Sequence, residues 1–208
     1  MKAQLKELEA LPEAIHAQVA AAGTKIFIGP GHTGDMKGFA PEVKSVVAQM
    51  NKTSRKASET GGVYIQAQGE KNGMVLIGTH QFQGHGAYRM KIDVQEIGVA
   101  RHEFGHAFDF TAATPISKDQ QFKDAWRNMF MHEKSLPEGK RKVHPYFLQT
   151  IERESNNPNW TKGTTETFAE SFRAYWQAGG GDKGRDAVEA YFSKGIADRF
   201  HELMKGLT

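Results

Sequence analysis

The chain has 208 residues, with 27 Lys and Arg against 24 Asp and Glu, a formal net charge of +3 and no cysteine. This length suits one buried core and is short for two large domains, so we predict a single domain over residues 1–208. Hydrophobic residues make up 38 % and charged residues 25 %, which argues against disordered and fibrous proteins. Without cysteine, disulfides, thiolate metal sites and cysteine nucleophiles are excluded, and any metal must be held by His and carboxylates.

The small excess of positive charge does not predict a polyanion-binding surface. Two basic clusters, at 52–56 and 140–142, fall in loop-like sequence and are interpreted as solvated surface, with nucleic acid or acidic lipid as the alternative. No apolar run approaches the roughly 20 residues of a membrane span. Lys2, Lys6 and Glu7 interrupt the apolar positions at the start, so these residues do not form the hydrophobic region of a signal peptide. We therefore expect a soluble monomer that binds no nucleic acid.

The first 60 residues are predicted to form helices and a linker. Apolar residues at helical spacing, interrupted near Pro12 and ending at Gly23, predict one or two helices. A strand is predicted at 25–28, and the glycine-rich stretch at 29–38 is interpreted as a connecting loop. A helix with proline in its first turn is predicted at 41–50, followed by a polar linker at 51–60.

Residues 61–112 are predicted to form a small sheet and one long helix. Strands are predicted at 63–67 and 74–79, joined by a turn that contains Asn72-Gly73, and a third strand at 87–92. The residues between the second and third strands are expected to be a loop. The long helix is predicted over 93–112, with Asp93 as its N-cap and Glu96 completing a capping box.

From residue 113 onward the pattern is helical. The predicted helices, in chain order, are 117–133, 145–155, 164–178, 184–194 and 195–206. The fold class is therefore α+β, with a small mixed β-sheet in the N-terminal half and a helical C-terminal half at 113–208.

The predicted helix at 93–112 carries the sequence His102-Glu103-Phe104-Gly105-His106. Residues i and i+4 lie on one face of a helix, so the two imidazoles can bind one metal ion, with Glu103 beside its open coordination position. The apolar residues Ile97, Ala100, Phe104 and Phe108 form the opposite face. We predict that His102 and His106 bind zinc and that Glu103 is the general base, because an accidental pair of surface histidines would not require this glutamate.

A catalytic zinc site usually has three protein ligands and a water, so a third ligand is required. The predicted helix at 164–178 offers two carboxylates one turn apart, on the side opposite its aromatic residues. We predict Glu166 as the zinc ligand, and Glu170 and Asp109 as groups that support the ligand histidines through hydrogen bonds. Taken alone, two glutamates on such a helix would be interpreted as a solvated face.

Both segments resemble the anthrax lethal factor-like metallopeptidases, a family that includes the Pro-Pro endopeptidases. The likeness is clearest in Arg101-His102-Glu103-Phe104-Gly105-His106-Ala107-Phe108-Asp109 and in Glu166-Thr167-Phe168-Ala169-Glu170-Ser171-Phe172-Arg173. It implies a zincin-like fold with His102, His106 and Glu166 as ligands of Zn²⁺ and Glu103 as the base. It also implies a peptide or protein substrate, a narrow specificity that can involve proline, and a secreted or toxin-associated setting.

The sequence departs from this family at one position. The family has a tyrosine seven residues before the third ligand, where it stabilises the oxyanion, and this chain has Asn159 there, followed by Trp160. We predict that Tyr146 takes this catalytic role, with His144 as the alternative.

The predicted function is that of a zinc-dependent endopeptidase. One alternative is a non-catalytic binding module stabilised by zinc, although such a site has no need of Glu103. The other is a polyanion-binding structural protein that uses the basic clusters, which would bind in a salt-dependent way and be indifferent to chelators.

Overall fold

The computed structural model describes residues 1–50, 61–66, 73–83, 90–93, 98–112, 114–149 and 162–207. The chain divides into two compact units, Met1–Ala107 and Phe108–Thr208, and the boundary falls inside the helix that carries His102 and His106. The single domain over residues 1–208 stays a prediction. Among the helices described, none has the length and apolar character needed to cross a membrane.

The first unit begins with two short helices, α1 (Lys2–Glu9) and α2 (Glu13–Ala21). Pro12 lies immediately before α2, and Gly23 follows α2 with a φ of 72°. The left-handed conformation at that glycine suits the end of a helix. The apolar residues at helical spacing are buried, and these are Leu8, Leu11, Ile15 and Val19. The predicted interruption and end point are both confirmed.

Three strands form a mixed sheet in the order β1-β3-β2: β1 (Lys25–Ile28), β2 (Gly62–Gln66) and β3 (Gly73–Ile77). β3 pairs in parallel with β1 and in antiparallel with β2. The central strand is apolar on both faces, as expected for a strand covered on both sides. Helix α3 (Pro41–Met50) packs its buried residues against this sheet, in a cluster of Met36, Val43, Val47, Met50 and Leu76. The predicted small mixed sheet is confirmed.

Three predictions in this unit need correction. The expected loop after β1 contains a 3-10 helix, Thr33–Gly38. The expected loop after β3 contains a strand, β4 (His80–Gln83), which pairs in antiparallel with β5 (Met90–Asp93). The predicted third strand thus belongs to a separate two-stranded sheet. The predicted linker at 51–60 and hairpin turn at 67–72 lie outside the described residues.

Helix α4 (Val99–Asp109) is shorter than the predicted helix. Asp93 is the last residue of β5, paired with His80, so it is not the N-cap, and Glu96 lies outside the described residues. Strand pairing, which depends on residues far apart in sequence, here overrides a local capping signal. Gly98 precedes α4 with a φ of 65°. After α4, the hydroxyl of Thr111 donates to the carbonyl of Phe108 at 2.8 Å.

After α4, the described part of the second unit contains four α-helices: α5 (Gln120–Ser135), α6 (Lys162–Gln177), α7 (Gly181–Tyr191) and α8 (Lys194–Met204). α6 is the core helix, since twelve of its residues are buried. The ring of Phe168 on α6 lies 5.7 Å from Phe122 on α5 and 5.2 Å from Phe200 on α8. The predicted helix at 145–155 is a 3-10 helix, Pro145–Leu148, in its described part, and residues 150–155 lie outside that part.

The basic cluster at 140–142 closes the end of α5. The Nε of Arg141 donates to the carbonyl oxygens of Glu133 at 3.1 Å and Leu136 at 3.2 Å. The buried carboxylate of Glu133 accepts from the backbone N–H groups of Lys142 and Val143. These bonds satisfy groups at a helix C-terminus and a buried charge, so this cluster contributes to local structure. The cluster at 52–56 lies outside the described residues.

Candidate metal centre

Helix α4 separates an apolar face from a histidine face, as predicted. Ala100, Phe104 and Phe108 are each 1 % exposed, which fixes the helix by burial of its apolar side. The predicted Ile97 lies outside the described residues. On the other side, the ring centroids of His102 and His106 are 4.9 Å apart and the rings are nearly perpendicular. The four-residue spacing therefore brings the two imidazoles together, because a helix places residues i and i+4 one above the other.

A neighbouring helix supports the apolar face of α4. The ring of His16 on α2 lies 5.5 Å from the ring of Phe104 in an edge-to-face arrangement. The same imidazole forms a hydrogen bond with the carbonyl oxygen of Leu8 at 2.9 Å. Thus His16 has a structural role in packing α1, α2 and α4.

Glu103 lies against the first residue of β2. A Cβ atom added at Gly62 would come within 2.6 Å of Cγ of Glu103 and 2.4 Å of Cγ1 of Val99. Contacts this short do not occur, so only glycine allows the strand and the helix to approach in this way. No signal in the sequence points to Gly62, because the pairing of a strand start with a helix face is a tertiary contact.

Glu166 is held in the first turns of α6. The start of this helix is fixed by Gly163, whose N–H donates to the carbonyl of Gln149 at 2.9 Å. A side chain at Gly163 would collide with the carbonyl of Phe147 and the ring of Trp126, and Trp126 donates to that same carbonyl at 3.1 Å. Four residues inside the helix, Glu166 is only 9 % exposed. A buried carboxylate is costly unless a positive partner or hydrogen bonds compensate it.

The three predicted zinc ligands are brought together. His102, His106 and Glu166 each offer one ligand atom, and these atoms all lie within 4.8 Å of one another. Two imidazole nitrogens and one carboxylate oxygen are donors that suit Zn²⁺, and three protein ligands leave one coordination position open. A zinc ion there would also place a positive charge beside the buried carboxylate of Glu166. The residues present therefore fit zinc.

Within the second unit, the last turn of α4 contacts α6. The rings of Phe108 and Phe172 lie 5.6 Å apart, and both residues are fully buried. The predicted aromatic face of α6 is thus a packing face. This contact sets α6 against the helix turn that directly follows His106.

Asp109 is completely buried and binds Ser117. Its Oδ1 accepts from the backbone N–H of Ser117 at 2.6 Å, and its Oδ2 accepts from the Ser117 hydroxyl at 2.7 Å. These bonds fasten the end of α4 to the 3-10 helix Ile116–Lys118. Each carboxylate oxygen has a further lone pair, so a hydrogen bond to a ligand histidine is compatible with them. That supporting role stays a prediction.

Glu170 forms a buried ion pair with Arg173. Its Oε1 accepts from Nε of Arg173 at 3.0 Å and from Nη2 of the same guanidinium at 2.5 Å. Burial disfavours the charged form of Arg173, but the hydrogen bond and the negative charge of Glu170 outweigh it, and the pKa of Arg173 is raised. Arg173 therefore keeps its positive charge in this partly buried position. The predicted support of a ligand histidine by Glu170 stays a prediction.

Tyr146, the predicted oxyanion residue, lies in the 3-10 helix before α6. Its backbone N–H donates to Nδ1 of His144 at 3.2 Å, so the alternative candidate caps this short helix. The ammonium of Lys162, the first residue of α6, lies 5.4 Å from the centre of the Tyr146 ring. The catalytic role of Tyr146 stays a prediction, and Asn159 lies outside the described residues.

Comparison with known proteins supports the fold. No protein-family model matches the sequence, and no curated protein matches it. Among solved structures, the chain is similar to the Pro-Pro endopeptidase from Paenibacillus alvei, with a TM-score of 0.56 and 19 % sequence identity over 97 % of this chain and 89 % of that chain. At this identity the likeness shows the fold, and the chain has the α+β, zincin-like fold predicted from its sequence.

Proposed function

We propose that the protein is a zinc-dependent endopeptidase. The observation that carries this proposal is the approach of His102, His106 and Glu166, whose ligand atoms lie within 4.8 Å of one another, with Glu103 next to the first ligand on the same helix. A structural zinc site fills all four positions with protein ligands, whereas three ligands and a neighbouring carboxylate suit a hydrolytic site.

The chain's own residues supply the proton transfers in this mechanism. Held by His102, His106 and Glu166, a zinc ion would act as a Lewis acid, which would lower the pKa of water to about 7 and polarise the scissile carbonyl. Glu103 accepts a proton from the attacking water and delivers it to the leaving amine, as a general base and then a general acid. Asp109 and Glu170 hold the ligand imidazoles in position by hydrogen bonds to the ring nitrogens that do not bind metal.

We propose a peptide or a protein as the substrate. We also propose that the protein is a monomer and that it acts after secretion. The similar structure is named as a Pro-Pro endopeptidase, which supports testing proline-containing peptides first. Tyr146 is proposed to donate a hydrogen bond to the oxyanion. Removal of one such donor typically costs about 100- to 1000-fold in kcat, so Tyr146→Phe should lower kcat by this factor at unchanged zinc content.

The proposal is tested by measuring zinc content and peptide cleavage in three proteins: the parent, Glu103→Gln and Glu9→Gln. The library should include Pro-Pro sequences and matched sequences without proline. Glu9 is an exposed residue at the end of α1, so Glu9→Gln is the same chemical change outside the proposed site. We expect stoichiometric zinc in all three proteins and cleavage by the parent and Glu9→Gln alone.

Other outcomes point to the alternatives. Zinc bound without cleavage of any peptide would favour a non-catalytic, zinc-stabilised binding module. A protein that takes up no zinc but binds polyanions in a salt-dependent way would favour the structural alternative. Equal cleavage by Glu103→Gln and the parent would contradict the assignment of the base.

A further inference from the structure

Four polar residues form a stripe along one face of α6. Glu166, Glu170, Arg173 and Gln177 follow one another at spacings of four, three and four residues, which places them on the same side of a helix. The side chains of Glu170 and Arg173 are only 13 % and 10 % exposed. The stripe therefore begins at the proposed zinc ligand and continues through a buried ion pair.

Arg173 is fixed on three sides. Its Nε and Nη2 donate to Oε1 of Glu170, and its Nη1 donates to Oε1 of Gln177 at 2.8 Å. The guanidinium carbon lies 5.1 Å from the centre of the Tyr191 ring on α7, at a distance typical of a cation–π contact. These contacts hold the guanidinium in place, and the guanidinium in turn holds Oε1 of the Glu170 carboxylate.

Stability alone does not account for this pair. Removing two charges from water costs several kcal/mol per ion, and well-packed apolar residues of similar volume are often equally stabilising. A buried Arg–Glu pair one turn after a proposed metal ligand is therefore better explained by a need for a carboxylate in one fixed position. Both donors of Arg173 reach the same oxygen of Glu170, Oε1, so the second oxygen, Oε2, is not used by Arg173.

We infer that Arg173 is a positioning residue of the zinc site, an inference that rests on the proposed function. By holding Oε1 of Glu170, Arg173 directs Oε2 toward the N–H of a ligand imidazole. The orientation of that imidazole then sets how strongly the site binds zinc. Arg173 itself contacts neither the metal nor the substrate, and it acts through Glu170 alone.

The test measures zinc affinity by competition with a chelator, and it does not depend on peptidase activity. Loss of a group that orients a metal ligand typically weakens metal binding 10- to 100-fold, so we expect Arg173→Met to weaken zinc binding by about 10-fold or more. Arg173→Lys keeps the charge and one donor, and it should restore part of the affinity. The matched control is Arg185→Met, which removes another arginine ion pair, that between Arg185 and Asp198 at 2.7 Å. This control should bind zinc like the parent.

A double-mutant comparison tests whether Arg173 acts through Glu170. Glu170→Gln keeps the shape and one acceptor oxygen but loses the carboxylate, and it should weaken zinc binding by about the same factor as Arg173→Met. In the Glu170→Gln protein, the further change Arg173→Met should add little, because the two effects share one route. The unfolding free energy of each zinc-free variant is measured in parallel.

Two results would overturn the inference. If Arg173→Met lowers only the unfolding free energy and the folded variant binds zinc like the parent, Arg173 is a structural residue. If the effects of Arg173→Met and Glu170→Gln on zinc affinity are additive, Arg173 does not act through Glu170. A parent protein that binds no zinc would instead refute the proposed function, and with it this inference.

Discussion

Gly62, the first residue of β2, lies so close to Glu103 on α4 that a single added methyl group would come within 2.6 Å of Cγ of that glutamate. The strand therefore limits where the Glu103 side chain can lie. Since a general base must reach its proton at hydrogen-bond distance, this contact connects the sheet of the first unit to the proposed chemistry.

We expect Gly62→Ala to lower kcat by about 10- to 100-fold, since a misplacement of about 1 Å at a reacting group has effects of this size. Zinc affinity should stay at the parent value, because the histidines lie elsewhere on the helix. Steady-state kinetics and chelator competition measure the two quantities separately. Val99→Ala removes the other atom in the collision, at 2.4 Å, and should restore part of kcat in the double variant. Gly38→Ala is the control, since nothing lies within 4 Å of its Cβ position.

Mutation can separate the structural role of the Asp109–Ser117 hydrogen bonds from the predicted support of a ligand histidine by Asp109. Ser117→Ala removes the hydrogen bond between the hydroxyl and Oδ2, and we expect the unfolding free energy to fall by about 1.5–3 kcal/mol, as for hydrogen bonds to charged groups. Zinc affinity should not change. Asp109→Asn should lower both the unfolding free energy and zinc affinity, the latter by about 10-fold, if Asp109 also supports a ligand histidine.

Urea unfolding measures the free energy of unfolding of these variants, and chelator competition measures their zinc affinity. Ser45→Ala, an exposed serine on α3, is the control for stability. Parent-like zinc affinity in folded Asp109→Asn would show that Asp109 only fastens the end of α4 to the following 3-10 helix.

Zinc should stabilise the folded protein. A ligand that binds only the folded state adds about 4 kcal/mol when its free concentration is 1000 times Kd. We therefore expect zinc to raise Tm in the parent and in Glu103→Gln, and chelation to lower it. His106→Ala and Glu166→Ala should lose this response, because each removes one of the three donors. A zinc-dependent rise in Tm that survives in both variants would contradict the ligand set.

The lowered pKa of Asp119 leads us to expect that this residue contributes to stability in a pH-dependent way. Burial acts to raise its pKa, but hydrogen bonds from Arg199 and from the backbone N–H of Phe122 outweigh this effect and lower the pKa below its ordinary value of 3.8. A lowered folded-state pKa means that the contribution is present above about pH 3.8 and is lost as the pH falls through the lower, folded-state value.

Asp119→Asn keeps a good N-cap for α5 but removes the charge that pairs with Arg199 at 3.0 Å. We expect it to lower the unfolding free energy by about 0.5–1 kcal/mol at pH 7, as for partly exposed ion pairs. The difference from the parent should disappear in strong acid, where the parent carboxyl is protonated. Asp124→Asn, in an exposed pair with Arg127, should change stability much less. A difference that grows as the pH falls would contradict the assigned sign.

Features that depend on residues close together in the chain could be predicted without the structure. The four-residue spacing of His102 and His106 brings two imidazoles onto one helix face in any helix, and the periodicity of Ala100, Phe104 and Phe108 fixes the buried side. The strand at 25–28 and the helix at 41–50 were equally predictable, because their hydrophobic patterns and turn residues lie within a few positions of each other. Glu166 could be predicted because the two histidines required a third donor of a known type.

Contacts between distant residues decided the rest. α4 begins at Val99, and Asp93, the predicted N-cap, instead pairs with His80 in a sheet whose first strand had not been predicted. Nothing in the sequence pointed to Gly62 or Ser117. Gly62 matters because it lies against Glu103 on α4, and Ser117 matters because it donates hydrogen bonds to the buried Asp109. Short-range spacing fixes which side chains share a helix face, whereas the approach of separate elements depends on packing and strand pairing. Which groups surround His102, Glu103 and His106 therefore depends on contacts that spacing along the chain does not reveal.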